Sequence, residues 1–100
     1  MTPAEIMDGA ADLIERTGWT QLAGARGVSG KPVYERGRSA VCFCAAGAIR
    51  RVRGKGFRFP ELKEYLPKSL TFWNAAPGRT KAEVLAALRD GAAKWRRDHP

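Results

Sequence analysis

The chain has 100 residues, of which 44% are hydrophobic and 9% aromatic, enough for one domain over residues 1–100 with a buried core and too apolar for an intrinsically disordered chain. No apolar stretch approaches the roughly 20 residues of a membrane-spanning helix, and the acidic N-terminal segment lacks the apolar region of a secretory signal, so we expect a cytoplasmic protein without membrane association. The net charge of +8 is uneven, because residues 1–18 carry −3 whereas residues 36–60 hold seven bases and no acid. Such a distribution favours an acidic or polyanionic partner.

The first predicted element is a helix over residues 3–17. Thr2 and Glu5 have the spacing of a capping box, and Pro3 stands at the first helical position. Ile6 and Ile14 belong to an apolar face with helical spacing, and Gly18 is predicted to end the helix.

Residues 19–36 predict a small hairpin. Glycines at positions 24, 27 and 30, together with Pro32, exclude a helix. The sequence Gly-Val-Ser-Gly at 27–30 predicts a turn between arms near 20–26 and 31–35. Because Pro32 has no N–H to donate, its arm should lie at an edge.

A second helix is predicted to open at Ser39 and to end at Gly54 and Gly56. Apolar residues recur along one face at helical spacing, at Val41, Cys44, Ala45, Ala48, Ile49 and Val52. Arginines fall in its last turn, where the helix dipole favours cations.

The last third predicts a short helix over residues 60–66, a Pro-Gly turn and a final helix. Thr80 and Glu83 repeat the capping box, and the predicted buried face is formed by Val84, Leu85, Leu88, Ala92 and Trp95. The predicted fold class is mostly α (α+β), a small compact domain of three to four helices with a short β-hairpin.

Cys42, Cys44 and His99 are the residues that could bind a metal or act in thiol catalysis. They are too few for a structural zinc site. Cys42 is predicted in the first turn of the second helix, where the dipole would activate a thiol, but the only histidine that could act as its base is next to the C-terminus. We therefore interpret both cysteines as structural thiols, Cys44 being buried, and expect no catalytic residue, no metal and no cofactor.

Five bases lie within nine residues, and two glycines between them allow the chain to bend around an anion. These candidate nucleic-acid or partner-binding residues are Arg50, Arg51, Arg53, Lys55 and Arg58. The alternative is that the arginines cover the end of the second helix and pair with acids of the first.

Two parts of the chain resemble nucleic-acid-binding motifs only in part. Residues 55–59, Lys-Gly-Phe-Arg-Phe, are similar to the core of an RNA-recognition strand, but Arg58 and Pro60 depart from it, so we interpret the two phenylalanines as core anchors. The spacing before the last helix is poor for a helix-turn-helix, which favours nonspecific phosphate contact over sequence-specific reading.

Residues 73–80, Trp-Asn-Ala-Ala-Pro-Gly-Arg-Thr, resemble the motif Trp/Phe-Asn-Asp-Ala-Pro-Gly-Arg-Thr of a family of short uncharacterised bacterial and phage proteins. Blocks at 11–21, 30–33 and 42–49 are similar to the same family, so the resemblance covers nearly the whole chain. The resemblance implies a phage-associated or mobile-element role but does not imply any particular biochemical activity. Ala75 replaces the aspartate of the pattern, which argues against a role that needs that carboxylate.

The candidate motif loop is represented by Trp73, Asn74 and Arg79. We expect Asn74 to cap or bridge the loop, Pro77 and Gly78 to make its turn, and Arg79 to pair with an acid of the first helix.

The sequence favours a small basic binding or accessory protein that is not an enzyme and acts through a protein partner or, nonspecifically, the backbone of a nucleic acid. The alternative is a small enzyme that uses Cys42 or the loop containing Asn74 and Arg79, and it requires these residues to line a deep pocket.

Overall fold

The computed structural model describes residues 1–54 and 59–100. The elements are α1 (Pro3–Arg16), β1 (Ala25–Arg26), β2 (Cys42–Phe43), α2 (Ala45–Arg53), a 3₁₀ helix (Phe59–Tyr65), α3 (Leu70–Ala75) and α4 (Lys81–Asp98). The predicted mostly α (α+β) fold with one short antiparallel strand pair is confirmed. Over the two described ranges, no helix is both long and apolar enough to cross a bilayer.

The helices α1 and α4 begin where their capping boxes predict. The Glu5 backbone N–H donates to Thr2 Oγ1 at 3.1 Å, and the Thr2 N–H donates to Glu5 Oε1 at 2.8 Å. Thr80 and Glu83 make the same pair of bonds at 3.2 and 2.9 Å. Both starts are thus determined by residues three positions apart.

Helix α2 is shorter than predicted, since it begins at Ala45 and not near Ser39. Residues 41–43 are extended because their backbone pairs with an earlier part of the chain. The Val41 N–H donates to Arg26 O at 2.9 Å, and the Phe43 N–H donates to Gly18 O at 3.1 Å. Gly54 ends the helix with a φ of 66°, as predicted.

The predicted hairpin forms in part. Its 27–30 turn is closed by a bond from the Gly30 N–H to Gly27 O, but the second arm joins β1 only through a single antiparallel bridge between Arg26 and Pro32. The two-residue ladder is made with β2 instead, in the register Ala25 to Phe43 and Arg26 to Cys42. Since Arg26 pairs on both sides, β1 is central and Pro32 lies at an edge, as expected.

The core lies where α1 packs against α2 and α4. Close approach needs small residues at two places. A side chain at Gly47 would collide with the backbone carbonyl of Gly24, and one at Gly91 would collide with Tyr65 O and the Met7 sulfur. The largest fully buried apolar side chains are Phe43, Ile6, Met7, Ile14, Ile49, Leu62, Leu88 and Val84. The predicted buried face of α4 is confirmed at Val84, Leu88 and Ala92, whereas Leu85 and Trp95 are partly buried at the edge of the core.

Candidate functional site

Arg50 and Arg51 hold a neighbouring loop against α2. Arg50 Nε donates to Glu35 Oε1 at 2.6 Å. Arg51 Nη1 donates to the backbone carbonyls of Glu35 at 3.0 Å and Gly37 at 2.7 Å, and its guanidinium lies 5.8 Å from the centre of the Phe43 ring. These contacts differ from the alternative in which the arginines pair with acids of α1, because the acid bound by Arg50 is Glu35.

The contact with Arg50 affects the pKa of Glu35. Partial burial acts to raise the pKa of its carboxyl, but bonds from its own backbone N–H and from Arg50 outweigh burial and hold the pKa below its usual value. Glu35 is therefore ionised at neutral pH, and Arg50 neutralises it.

The other predicted bases are distributed differently. Arg53 is half-buried in the last turn of α2. Lys55 and Arg58, with the Lys-Gly-Phe-Arg segment of the RNA-like motif, lie outside the described residues. A continuous surface of all five bases stays a prediction, and Arg50 and Arg51 already have internal partners.

A third arginine fixes the near end of the same loop. Arg26 donates from Nε to Thr20 Oγ1 at 2.9 Å, from Nη1 to Gly30 O at 2.9 Å and from Nη2 to Gln21 O at 3.0 Å. We call residues 27–38 the basic loop. Arginines from β1 and α2 bind its backbone at both ends, so its shape depends on contacts with the rest of the fold.

The basic loop presents a distinct set of side chains to solvent. Lys31, Arg36 and Arg38 are exposed, and Tyr34 is 62% exposed. A turn closed by a bond from the Gly37 N–H to Tyr34 O contains Arg36, two residues after the tyrosine. Sequence reasoning counted Arg36 and Arg38 among the bases but missed the loop as a site; an aromatic residue between bases was the signal that could have shown it.

Trp73 and Asn74 lie in α3, so their predicted place in a loop is wrong; of the motif residues, only those after Ala75 form a loop before α4. Asn74 is the most extensively bonded of them. It is 1% exposed. Its Oδ1 accepts from Trp19 Nε1 at 2.8 Å and from the Ala45 N–H at 3.0 Å, while its Nδ2 donates to Thr20 O at 3.1 Å. Asn74 thus bonds the first N–H of α2 and joins this helix to the segment after α1, whereas the prediction had its side chain cap or bridge the loop that contains it.

Arg79 stabilises the entry to α4. Its guanidinium stacks 4.1 Å from the centre of the Trp73 ring, its Nε donates to Trp73 O at 2.9 Å, and its Nη1 lies 3.2 Å from Glu83 Oε2. Gly78 has the positive φ, 81°, of the predicted turn.

The prediction that Arg79 pairs with an acid of α1 is wrong. Two of those acids are bound by arginines further along α4: Arg89 lies 2.6 Å from Asp12, and Arg96 lies 2.7 Å from Asp8. Arg79, two residues before the start of α4, instead pairs with Glu83 in the first turn of that helix.

The two cysteines lie in different parts of the fold, Cys42 in β2 and Cys44 at the start of α2. Cys42 is half-buried in β2, so its predicted place in the first turn of α2 is wrong. The residue at that helix start is Cys44, which is buried as predicted and whose sulfur accepts from the Gly47 N–H at 3.2 Å. His99 stacks on Trp95, with ring centres 4.1 Å apart, at the end of α4. In the described part of the chain, no three Cys, His, Asp or Glu residues are grouped to hold a metal.

Two grooves meet at Phe72, an α3 side chain that is 81% exposed. Groove A, of about 420 Å³, lies beside the 3₁₀ helix. Groove B, of about 370 Å³, lies beside the motif loop and includes Asn74, but not Cys42 or Arg79. Phe72 and Thr71 line both grooves. The other lining residues of groove A are Lys63, Leu66, Pro67, Lys68, Ser69 and Leu70. Those of groove B are Leu22, Ala23, Gly24, Cys44, Arg50, Asn74 and Ala75.

Comparison with known proteins gives a family and no activity. No curated protein and no solved structure matches the chain. Residues 1–94 match the sequence model of a family described as a family of unknown function, DUF6197. The match spans nearly the whole chain and confirms the resemblance to an uncharacterised family. The chain belongs to the DUF6197 family.

Proposed function

We propose that this protein binds the phosphate backbone of nucleic acid through the basic loop, with Tyr34 stacking on an unpaired base. The observation that carries the proposal is the pairing of Glu35 with Arg50. Glu35 is the one acid in residues 27–38, so its neutralisation leaves a loop whose remaining exposed charges, on Lys31, Arg36 and Arg38, are all positive.

Two further features support binding. The arginines that hold the loop use its carbonyls, so ordering of the loop is largely complete before a ligand arrives and costs little on binding. The exposed Tyr34 ring offers a surface on which any base can stack, which favours single strands over duplex. Arg50 and Arg51 position the loop in this proposal.

The test is binding of fluorescent single-stranded and duplex oligonucleotides over a range of salt concentrations. Three phosphate contacts give a log–log salt slope of about −2 for single strands and about −3 for duplex. Arg36→Ala with Arg38→Ala should weaken binding and reduce the slope, whereas Lys81→Ala with Lys94→Ala, which removes two exposed charges from α4, should change it much less. Equal losses in the two pairs, or no binding at low salt, would refute the proposal.

Variants of Tyr34 distinguish base stacking from charge attraction to phosphate. Loss of the ring in Tyr34→Ala should weaken single-strand binding by about 1–3 kcal/mol per stacked base and duplex binding much less. Tyr34→Phe keeps the ring and should bind like the wild type. Arg51→Ala is a poor test of phosphate contact, because it also releases the carbonyls of the loop.

A further inference from the structure

Phe72 forms an apolar ridge between two grooves. Its helix, α3, buries Leu70 and Asn74 on the other side, while Phe72 itself is 81% exposed and lines both groove A and groove B. Each groove falls in the size range of sites that take small ligands or single large side chains. A ridge with a cavity on either side can contact two apolar groups at once.

Leu22, at the edge of groove B, makes the same surface more apolar. It is 82% exposed and adopts a φ of 67°, a left-handed conformation that is uncommon for residues other than glycine. The preceding residue is held in place, since Gln21 Nε2 donates to Asn74 O at 3.0 Å and Ala76 O at 3.1 Å. A leucine held in this conformation, with its side chain in water, contributes little to folding and is available to a partner.

The charges around the grooves indicate the chemistry of that partner. The charged side chains among their described lining residues are Lys63, Lys68 and Arg50, and none is acidic. Glu64, which follows Lys63 in the 3₁₀ helix, lines a separate groove with Asp90. The acids Asp8 and Asp12 of α1 are already bound by α4, which argues against a second copy of this chain as the occupant.

We infer that the surface around Phe72 docks an acidic segment of a protein partner, with one large apolar side chain of the segment in each groove. The carboxylates of the segment face Lys63 and Lys68 of groove A, since Arg50 of groove B is already paired with Glu35. Complementary charge and apolar anchors together are typical of such interfaces. This inference is independent of nucleic-acid binding by the basic loop.

The test is selection of binders from a displayed library of random peptides on the folded protein. The wild type should enrich peptides that combine acidic residues with two large apolar positions. Purified winners should bind Phe72→Ser and Leu22→Gly at least about tenfold more weakly. Both residues are exposed and glycine suits the backbone at position 22, so both variants should keep the wild-type circular dichroism and melting temperature. Val28→Ser, which removes another exposed apolar side chain, 92% exposed and outside both grooves, is the matched control and should bind normally.

Several outcomes would overturn the inference. These are no enrichment beyond that on Phe72→Ser, enrichment without an acidic bias, or equal losses in the Val28 control. Self-association that Phe72→Ser abolishes would assign the surface to a second copy instead. The Phe72 and Leu22 variants should bind oligonucleotides like the wild type, and the paired Arg36 and Arg38 variant should bind the peptides, so the two proposals fail separately.

Discussion

At the scale of single residues, the buried amide of Asn74 joins parts of the chain that are far apart in sequence. It accepts from the indole of Trp19 and from the first N–H of α2, and it donates to Thr20 O. No described buried side-chain polar atom lacks a partner. Removing this amide therefore leaves buried donors unpaired, and an unpaired buried donor costs more than the net value of a hydrogen bond.

Asn74→Ala should lower the free energy of unfolding by about 2–4 kcal/mol, because it leaves the Trp19 indole N–H and the Ala45 N–H without an acceptor. Trp19→Phe should cost less, since the ring remains and Asn74 keeps its other partners. The double variant should lose less than the sum of the two, with a coupling of about 0.5–3 kcal/mol. Chemical denaturation of the four proteins measures this, and strict additivity would show that the indole and the amide do not interact.

At the scale of elements, the contact between α2 and the segment before β1 depends on a glycine inside a helix. A Cβ at Gly47 would overlap the backbone carbonyl of Gly24, whose oxygen accepts from the Cys44 N–H at 3.1 Å. The helix and the segment cannot both keep their places if residue 47 has a side chain.

Gly47→Ala should therefore destabilise the protein by about 3 kcal/mol, the upper part of the range for overpacking, although alanine normally favours a helix by about 1 kcal/mol. Gly9→Ala in α1 is the matched control. The new Cβ there would lie 3.0 Å from a methyl of Val52, a side chain that can shift, so we expect a change well below that at Gly47. Thermal unfolding compares the two, and similar melting temperatures would mean that the segment yields easily.

Elements that depend on neighbouring residues could be predicted from the sequence, and those that depend on distant pairing could not. The capping boxes predicted the starts of α1 and α4 correctly, since each box needs residues only three positions apart. The start of α2 was predicted too early because residues 41–43 pair with residues 18–26, a contact that a helical spacing of apolar residues does not reveal.

The candidate site follows the same rule. Arg50 and Arg51 were predicted as surface bases, but their partners lie 14 to 16 residues away in the basic loop. Asn74 was predicted to cap or bridge its own loop, and its partners in α2 and at Trp19 became visible only in the fold.

For the molecule as a whole, stability and charge are coupled through three carboxylates. Bonds from the backbone and then the hydroxyl of Thr2 lower the pKa of Glu5 below its usual 4.5, and bonds from Thr80 do the same for Glu83. Glu35 is lowered also, despite its burial. In each case the unfolded chain binds protons more readily than the folded one. The stability that these groups contribute is therefore complete above about pH 4.5 and is lost as the pH falls through the folded-state pKa values.

Acidification also adds positive charge to a chain that already carries +8, and the resulting repulsion disfavours the folded state. We expect the melting temperature to fall steeply below about pH 4.5, and added salt to restore part of the loss by screening the repulsion.

The double variant Glu5→Gln with Glu83→Gln separates the two causes. Glutamine can keep both bonds of a capping box but does not titrate, so this variant should melt slightly below the wild type near neutral pH and lose less on acidification. Melting curves at neutral and acid pH, each at low and high salt, give the comparison. If the variant loses as much as the wild type at low pH, the capping carboxylates are not the groups that link stability to protons, and repulsion among the bases is the larger cause.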